Sequence, residues 1–254
     1  MKILRRIQKE YAMDQNEKTA PPDYGIDGSP FRVPLICVGL WVFTIVLFIF
    51  PNPILKILSA LFLVSSLLFT VITVKSIYYV KAGKFRLRDR LLSMVDWKGN
   101  ETVLDIGTGR GLLMIGAAKR LTSGKSIGID IWSQVDMYKN NSRDTLKNAQ
   151  IEGVRDKVEV KNEDAQKMPF PDLYFDVVLS NLCIHNIPTK EGREKACREI
   201  ARVLKPGGRV IISDILRLKD YAQVFRSEGM STEILGSHFL EIVTPWHGIL
   251  KASK

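Results

Sequence analysis

The tightest constraint on this chain is the stretch from Val33 to Val80, which holds only two charged residues in a sequence where 25% of positions are charged. Within it, Pro34 to Phe50 reads PLICVGLWVFTIVLFIF and Ile57 to Val74 reads ILSALFLVSSLLFTVITV. Neither run has the polar periodicity of a helix lying half in water, so both predict helices that are apolar all round. At 17 and 18 residues each stands near the lower limit for crossing a hydrocarbon core of about 30 Å. Pro51, Asn52 and Pro53 separate the runs; proline lacks the amide hydrogen and restricts the residue before it, so the first helix must stop there. Tyr78 and Tyr79 carry the second helix toward an interface, where aromatic rings are favoured. Residues 33–80 therefore read as a two-helix transmembrane hairpin. The second run and the long segment before the first argue against a cleaved leader.

Charge sets the expected orientation. Lys2, Arg5, Arg6 and Lys9 precede the hairpin, and Lys81, Lys84, Arg86, Arg88 and Arg90 follow it, within a chain of net charge +10. Basic flanks stay inside, which predicts a multi-pass membrane protein with the short Pro51–Pro53 turn outside and residues 81–254 in the cytoplasm. On that reading the N-x-S/T matches at Asn100 and Asn140 go unused. Basic and aromatic residues do not interleave as they do in strand-binding proteins, so lipids rather than nucleic acid are the expected partner. Cys37, Cys183 and Cys197 form no CxxC pair and the three histidines show no ligand spacing, which predicts neither disulfides nor a metal. Residues 1–32 form a cytoplasmic segment, with Met1–Met13 readable as a basic amphipathic helix that turns Ile3, Leu4 and Ile7 inward. Pro21–Arg32 (PPDYGIDGSPFR) reads either as a flexible linker or as a lid that brings Tyr24 and Asp27 over a substrate.

Beyond a basic linker at Lys81–Arg90, short β-rich runs alternate with amphipathic stretches. Strands are predicted at Thr102–Ile106, Ser126–Asp130, Val158–Asn162, Asp176–Ser180 and Arg209–Asp214. Helices are predicted at Leu112–Leu121, Asp144–Glu152 and Lys190–Leu204, the last ending at the Lys205-Pro206-Gly207-Gly208 stop. Such alternation implies parallel βαβ units and an open α/β, Rossmann-like sheet with helices on both faces. Ligands of these sheets bind at the carboxyl ends of the strands, so the residues just after each strand are the ones to inspect.

The first strand runs into Asp105-Ile106-Gly107-Thr108-Gly109-Arg110-Gly111. A dinucleotide fingerprint requires a third glycine at position 112, which is leucine, and Asp105 would repel a pyrophosphate. The same acid attracts an ammonium group, or else it caps the loop. The second strand ends at Asp130, placed to accept from two ribose hydroxyls, with Ile131 and Trp132 following and Trp132 able to stack on a base. Glu163-Asp164-Ala165 follows the third strand, where Asp164 is either an acceptor for an exocyclic amine or a solvated loop acid. Asn181 ends the fourth strand. Cys183, His185 and Asn186 follow it, with Cys183 read as an inert thiol. Gln134–Asn141 is a polar insertion on the substrate side.

In this order and spacing VLDIGTGRG, GID, NEDAQKMPFPDLYFDVVLSN and RVLKPGGRVIISD resemble the class I S-adenosylmethionine-dependent methyltransferases, and within them the type-11 branch that includes quinone-biosynthesis enzymes. The likeness covers about residues 90 to 254. It implies S-adenosylmethionine as cofactor and a seven-stranded sheet closed by a reversed hairpin, expected at Thr232–Phe239 and Trp246–Ala252. It also implies that Gly107, Gly109 and Gly111 line the methionine side, Asp130 holds the ribose, Asp164 the adenine amine, and Asn181 lies beside the methyl. This predicts methyl transfer to a small, lipophilic acceptor, with a soluble acceptor or a non-catalytic cofactor-binding scaffold as alternatives. A nicotinamide enzyme conflicts with the loop. His185 is the candidate general base, and with Tyr24, Asp27 and Asn186 it forms the expected substrate side. The cofactor site is expected to lie wholly after Lys81.

Overall fold

The computed structural model describes residues 21–26, 32–238, 241 and 246–254. The helix expected at Met1–Met13, and Asp27 of the expected lid, lie outside the described residues. The first apolar run is helix α1 (Arg32–Ile49) and the second is α2 (Pro53–Tyr78). Both are long and apolar enough to cross a membrane, with only 11% of each apolar window buried. Asn52 caps α2 by accepting from the Ile54 amide at 2.8 Å, and the prolines on either side sit where a helix can end or begin.

The two helices pack through small polar residues and turn their large ones outward. Thr44, Ser59 and Ser66 are buried, while Leu35, Phe48, Leu61 and Leu68 are exposed. Thr44 Oγ1 meets Ser66 Oγ at 3.0 Å, Ser59 Oγ donates to the Thr44 carbonyl, and Trp41 Nε1 donates to Thr70 Oγ1 at 2.9 Å. Thr73 and Ser76 bond back to carbonyls four residues earlier.

The basic segment expected as a linker is helical. A π turn (Tyr79–Gly83) joins α2 directly to α3 (Lys84–Ser93), so the second apolar helix runs on into the following domain. The reason is burial: Leu87, Leu91 and Leu92 are at most 1% exposed and pack in one core cluster with Val103, Leu113 and Ile211, giving the segment a face to bury that its charges conceal.

Seven strands form one sheet in the order β3-β2-β1-β4-β5-β7-β6. They are β1 (Thr102–Ile106), β2 (Lys125–Asp130), β3 (Val158–Asn162), β4 (Phe175–Asn181), β5 (Leu204–Ile215), β6 (Ser231–Gly236) and β7 (His247–Ser253). The first five are parallel, and β7 runs antiparallel to both β5 and β6. Helices α4 (Leu112–Ala118), α5 (Ser142–Ile151), α6 (Lys190–Val203) and α7 (Leu218–Ser227) complete the layers. The sheet and its reversed hairpin agree with the sequence expectation. β1 lies centrally, and strand order reverses between β1 and β4, which opens a crevice at their carboxyl ends.

Candidate functional site

The crevice is an open cavity whose lining includes Asp105, Gly107, Thr108, Gly109, Asp130 and Ile131. Gly107 adopts φ +68°, and a Cβ there would stand 2.3 Å from Cys183 Sγ. Only glycine lets the loop pass beneath the β4 end. Gly111, at φ +86°, precedes α4 and lies outside the cavity wall.

Asp105 does cap its loop: it accepts from Thr108 Oγ1 at 2.8 Å and from the Met114 amide at 2.9 Å. It also faces the cavity, and burial lifts its carboxyl to about 7 despite those bonds. Asp130 Oδ2 accepts from the Gly109 amide at 2.8 Å, and Oδ1 from the Trp132 amide and Asn140 Nδ2. Burial raises this carboxyl too, while the amides pull the other way. Part of its accepting capacity is thus spent on holding the loop, which the sequence reading did not foresee.

Trp132 is not in the cavity wall; its neighbour Ile131 is, at 64% exposure. The cause is local, since Trp132 takes a left-handed backbone (φ 58°) to donate to Asp130. Asp164 and Ala165 line the cavity from the β3 side, and Asp164 also accepts from the Gln166 amide. Asn181 and Asn186 line it from the β4 side. His185 does not. Its Nδ1 meets Asp214 Oδ1 and its amide donates to Asp214 Oδ2, so a fully buried carboxylate at the end of β5 turns the ring away from the wall. Cys183 packs over Gly107, and burial, then the nearby acids Asp130 and Asp214, push its thiol well up. That leaves it a poor nucleophile.

The cavity does not lie wholly after Lys81. Tyr24 and Tyr79, which precede Lys81, are part of its wall together with Lys84. Residues 23–26 form a strap across the mouth. The Asp23 amide donates to Asn148 Oδ1, Asn148 Nδ2 returns a bond to the Asp23 carbonyl, and Asp23 pairs with Arg110. Tyr24 is 4% exposed, and its hydroxyl donates to Glu152 Oε1 at 2.9 Å. Lys84 Nζ donates to the Gly25 carbonyl, and the Tyr138 amide to that of Ile26. Of the insertion expected on the substrate side, Tyr138 thus meets the strap, whose other bonds go to Asn148, Arg110, Glu152 and Lys84. The lid residues missed by sequence were Asn148 and Glu152, whose distance of more than 120 positions leaves no local signal.

Two buried acceptors in the wall, Asn140 Oδ1 and Asn181 Oδ1, have no hydrogen-bond partner among the described residues. Such orphans cost free energy unless a ligand supplies hydrogens. S-adenosylmethionine suits them: it carries ammonium, amine and hydroxyl hydrogens, and Asp105 and Asp130 offer anionic acceptors in the same cavity. Among the described residues no group of acids, histidines and cysteines is clustered to hold a metal.

Residues 104–212 match the family described as a methyltransferase domain. The chain is 35% identical over 134 residues to the 27-O-demethylrifamycin SV methyltransferase of Amycolatopsis mediterranei, covering 52% of this chain and 44% of that one. It is 31% identical over 156 residues to a ubiquinone/menaquinone biosynthesis C-methyltransferase of Vibrio vulnificus, covering 56% of each. The chain thus spans about half the length of the curated relatives it matches. Among solved structures, a putative S-adenosylmethionine-dependent methyltransferase from Listeria monocytogenes superposes with TM-score 0.53 at 18% identity, covering 68% of this chain and 99% of that one. One from Aquifex aeolicus gives 0.51 at 19%, covering 65% and 87%; these likenesses concern the fold. Residues 104–212 are thus similar to methyltransferase domains, and S-adenosylmethionine is the cofactor that this likeness implies.

Proposed function

We propose that this protein is a membrane-anchored methyltransferase that transfers a methyl group from S-adenosylmethionine to a small, lipophilic acceptor. The observation that carries the reading is the cavity itself, at the carboxyl ends of β1, β2 and β4, with the acids Asp105 and Asp130 and the orphan acceptors Asn140 and Asn181 in its wall. When bound, the cofactor supplies an activated methyl on a sulfonium. The chain's own residues have to align it. Asp105 faces the ammonium, Asp130 the ribose hydroxyls through the capacity left on Oδ2, Asp164 the adenine amine, and Asn181 the sulfonium end. Alignment of this kind can supply several kcal/mol of a barrier, up to about 7–11. His185, held by Asp214 through Nδ1 outside the cavity wall, would have to turn toward the β4 end to serve as a base for an acceptor that must lose a proton.

Membrane anchoring is supported by the inside-out hairpin. Large apolar side chains face outward and hydroxyls pair inward, the arrangement expected where lipid surrounds the helices and no water is present to satisfy a polar group. Basic residues on both flanks favour a cytoplasmic catalytic domain. A lipophilic acceptor follows from a cavity walled partly by the end of a membrane helix, and the quinone-directed relatives bear on the same point. The test is the full chain in lipid nanodiscs with methyl-labelled cofactor and a membrane-lipid extract. Label in the organic phase supports the reading; label only in water-soluble products favours a soluble acceptor; cofactor binding without any transfer favours a scaffold.

A further inference from the structure

Asp130 faces two ribose hydroxyls, and its hydrogen bonds leave room for one. A carboxylate accepts about four hydrogen bonds, two on each oxygen. Oδ1 already takes the Trp132 amide at 2.7 Å and Asn140 Nδ2 at 3.2 Å, and Oδ2 takes the Gly109 amide at 2.8 Å. One place is left, on Oδ2. The ribose of S-adenosylmethionine brings two hydroxyl hydrogens side by side, and a hydroxyl buried without an acceptor costs free energy. The diol therefore needs a second acceptor next to Asp130.

Asn140 is that neighbour. It is 4% exposed and borders the cavity. Its Nδ2 donates to Asp130, which fixes the way the amide faces: turned over, Oδ1 would oppose the carboxylate and Nδ2 would lose its acceptor. Oδ1 is thereby committed to accepting, yet it is buried with no partner among the described residues. A buried acceptor of this kind is destabilising until a hydrogen reaches it, and the space that Asn140 borders is the cavity. The residue is also held in place on both sides along the chain. Lys139 takes a left-handed backbone (φ 54°), the Asn140 amide donates to the Met137 carbonyl, and Gln134 Nε2 donates to the Asn140 carbonyl. Asn141 then caps α5 by accepting from the Asp144 amide at 2.9 Å. A side chain pinned in this way offers its oxygen with little further loss of rotamer freedom.

We infer that Asn140 Oδ1 accepts the ribose hydroxyl for which Asp130 has no room, so that the two residues divide the diol and the polar insertion before α5 supplies part of the cofactor site. This rests on the reading of the cavity as an S-adenosylmethionine site. It moves the end of that insertion from the substrate side to the cofactor side.

The test uses the full-length protein in nanodiscs, titrated by calorimetry with S-adenosylhomocysteine, the demethylated cofactor, and with its 2′-deoxy and 3′-deoxy analogues. Both analogues should bind the wild type more weakly. The one lacking the Asp130 hydroxyl should lose about tenfold or more and the other about threefold to tenfold, the ranges for bonds to charged and to neutral acceptors. Asn140→Leu, which is close in size, should weaken the parent ligand by the smaller factor and abolish the penalty for that second hydroxyl alone. Loss of both penalties, or equal weakening of all three ligands, would show that Asn140 merely positions Asp130 and its loop and would overturn the inference. An unchanged parent affinity in Asn140→Leu would overturn it too, as would a wild type that discriminates against only one analogue. Should Asn140→Leu fail to fold, Asn140→Ala provides the same ratios. A wild type that binds none of the three ligands refutes the cofactor site itself, and the inference with it.

Discussion

Asp105 is where local chemistry and pH meet. Burial raises its carboxyl to about 7, so between about pH 4 and pH 7 the folded protein holds a proton that the unfolded chain has released, and stability falls as pH rises through that window. A cofactor ammonium beside Asp105 favours the charged form, so binding should expel this proton. Affinity for S-adenosylmethionine should therefore rise from about pH 6 to pH 8, and Asp105→Asn should flatten the rise; parallel slopes in the two proteins, measured by calorimetry, would remove Asp105 from the ammonium site. His185 offers a second residue-scale test. His185→Gln should lower turnover by about 100-fold, the usual scale for general base catalysis, with cofactor affinity unchanged. Near-normal turnover in the Gln variant would make the Asp214 contact purely structural. That Asp105, Asp130, Asp164 and Asn181 share one cavity wall was legible in the sequence, because a parallel sheet brings its strand ends to one crevice. Asp214 was not singled out: a buried acid at a strand end carries no mark of its partner until β4 and β5 are side by side.

At the level of elements, each of the five parallel strands begins and ends close to where hydrophobic runs and glycines place it, yet three features escaped. Lys205-Pro206-Gly207-Gly208 reads as a stop, but β5 already pairs at Leu204 opposite Phe175 and resumes at Arg209 opposite Val177, so those residues form a bulge within the ladder. Helix α7 follows Leu216 and Arg217, both left-handed, and begins without a side-chain cap. The π turn has no sequence signature at all. The strap at residues 23–26 is the element whose role can be tested directly. Tyr24→Phe removes the bond to Glu152, a loss of about 0.5–1.5 kcal/mol, and should speed cofactor release severalfold. Tyr24→Ala also removes a buried ring that meets Phe85 edge-on, and should speed it by about tenfold or more, given the cost of emptying an aromatic site. Stopped-flow release rates that match the wild type in Tyr24→Ala would show that the strap does not retain the cofactor.

For the whole molecule, the hairpin and the catalytic domain are continuous in structure: the strap precedes α1, and α2 passes into α3 with its core face buried. A chain starting at Lys81 keeps Leu87, Leu91 and Leu92 but loses Tyr24 and Tyr79 from the cavity wall and Asp23 from Arg110 and Asn148. It should be far more soluble, yet bind S-adenosylmethionine at least about tenfold more weakly than the full chain, an amount equal to one or two charge-assisted bonds; equal affinity would mean the strap and π turn are spectators. Orientation can be settled in the same full-length protein. Lys81, Arg86, Arg88 and Arg90 follow the second apolar helix, whereas Pro51–Pro53 carries no charge. Translocating the basic side would be the costlier choice, so the turn should lie outside and the domain inside. Single cysteines at Asn52→Cys and Lys254→Cys, in a background with Cys37, Cys183 and Cys197 replaced, report this through a membrane-impermeant maleimide. Intact cells should label position 52, and position 254 should label only after permeabilisation. Because the strap before α1 docks on the domain after α2, both flanks of the hairpin must lie on one side. Labelling of positions 52 and 254 from the same side would thus rule out a spanning hairpin altogether, rather than merely invert it.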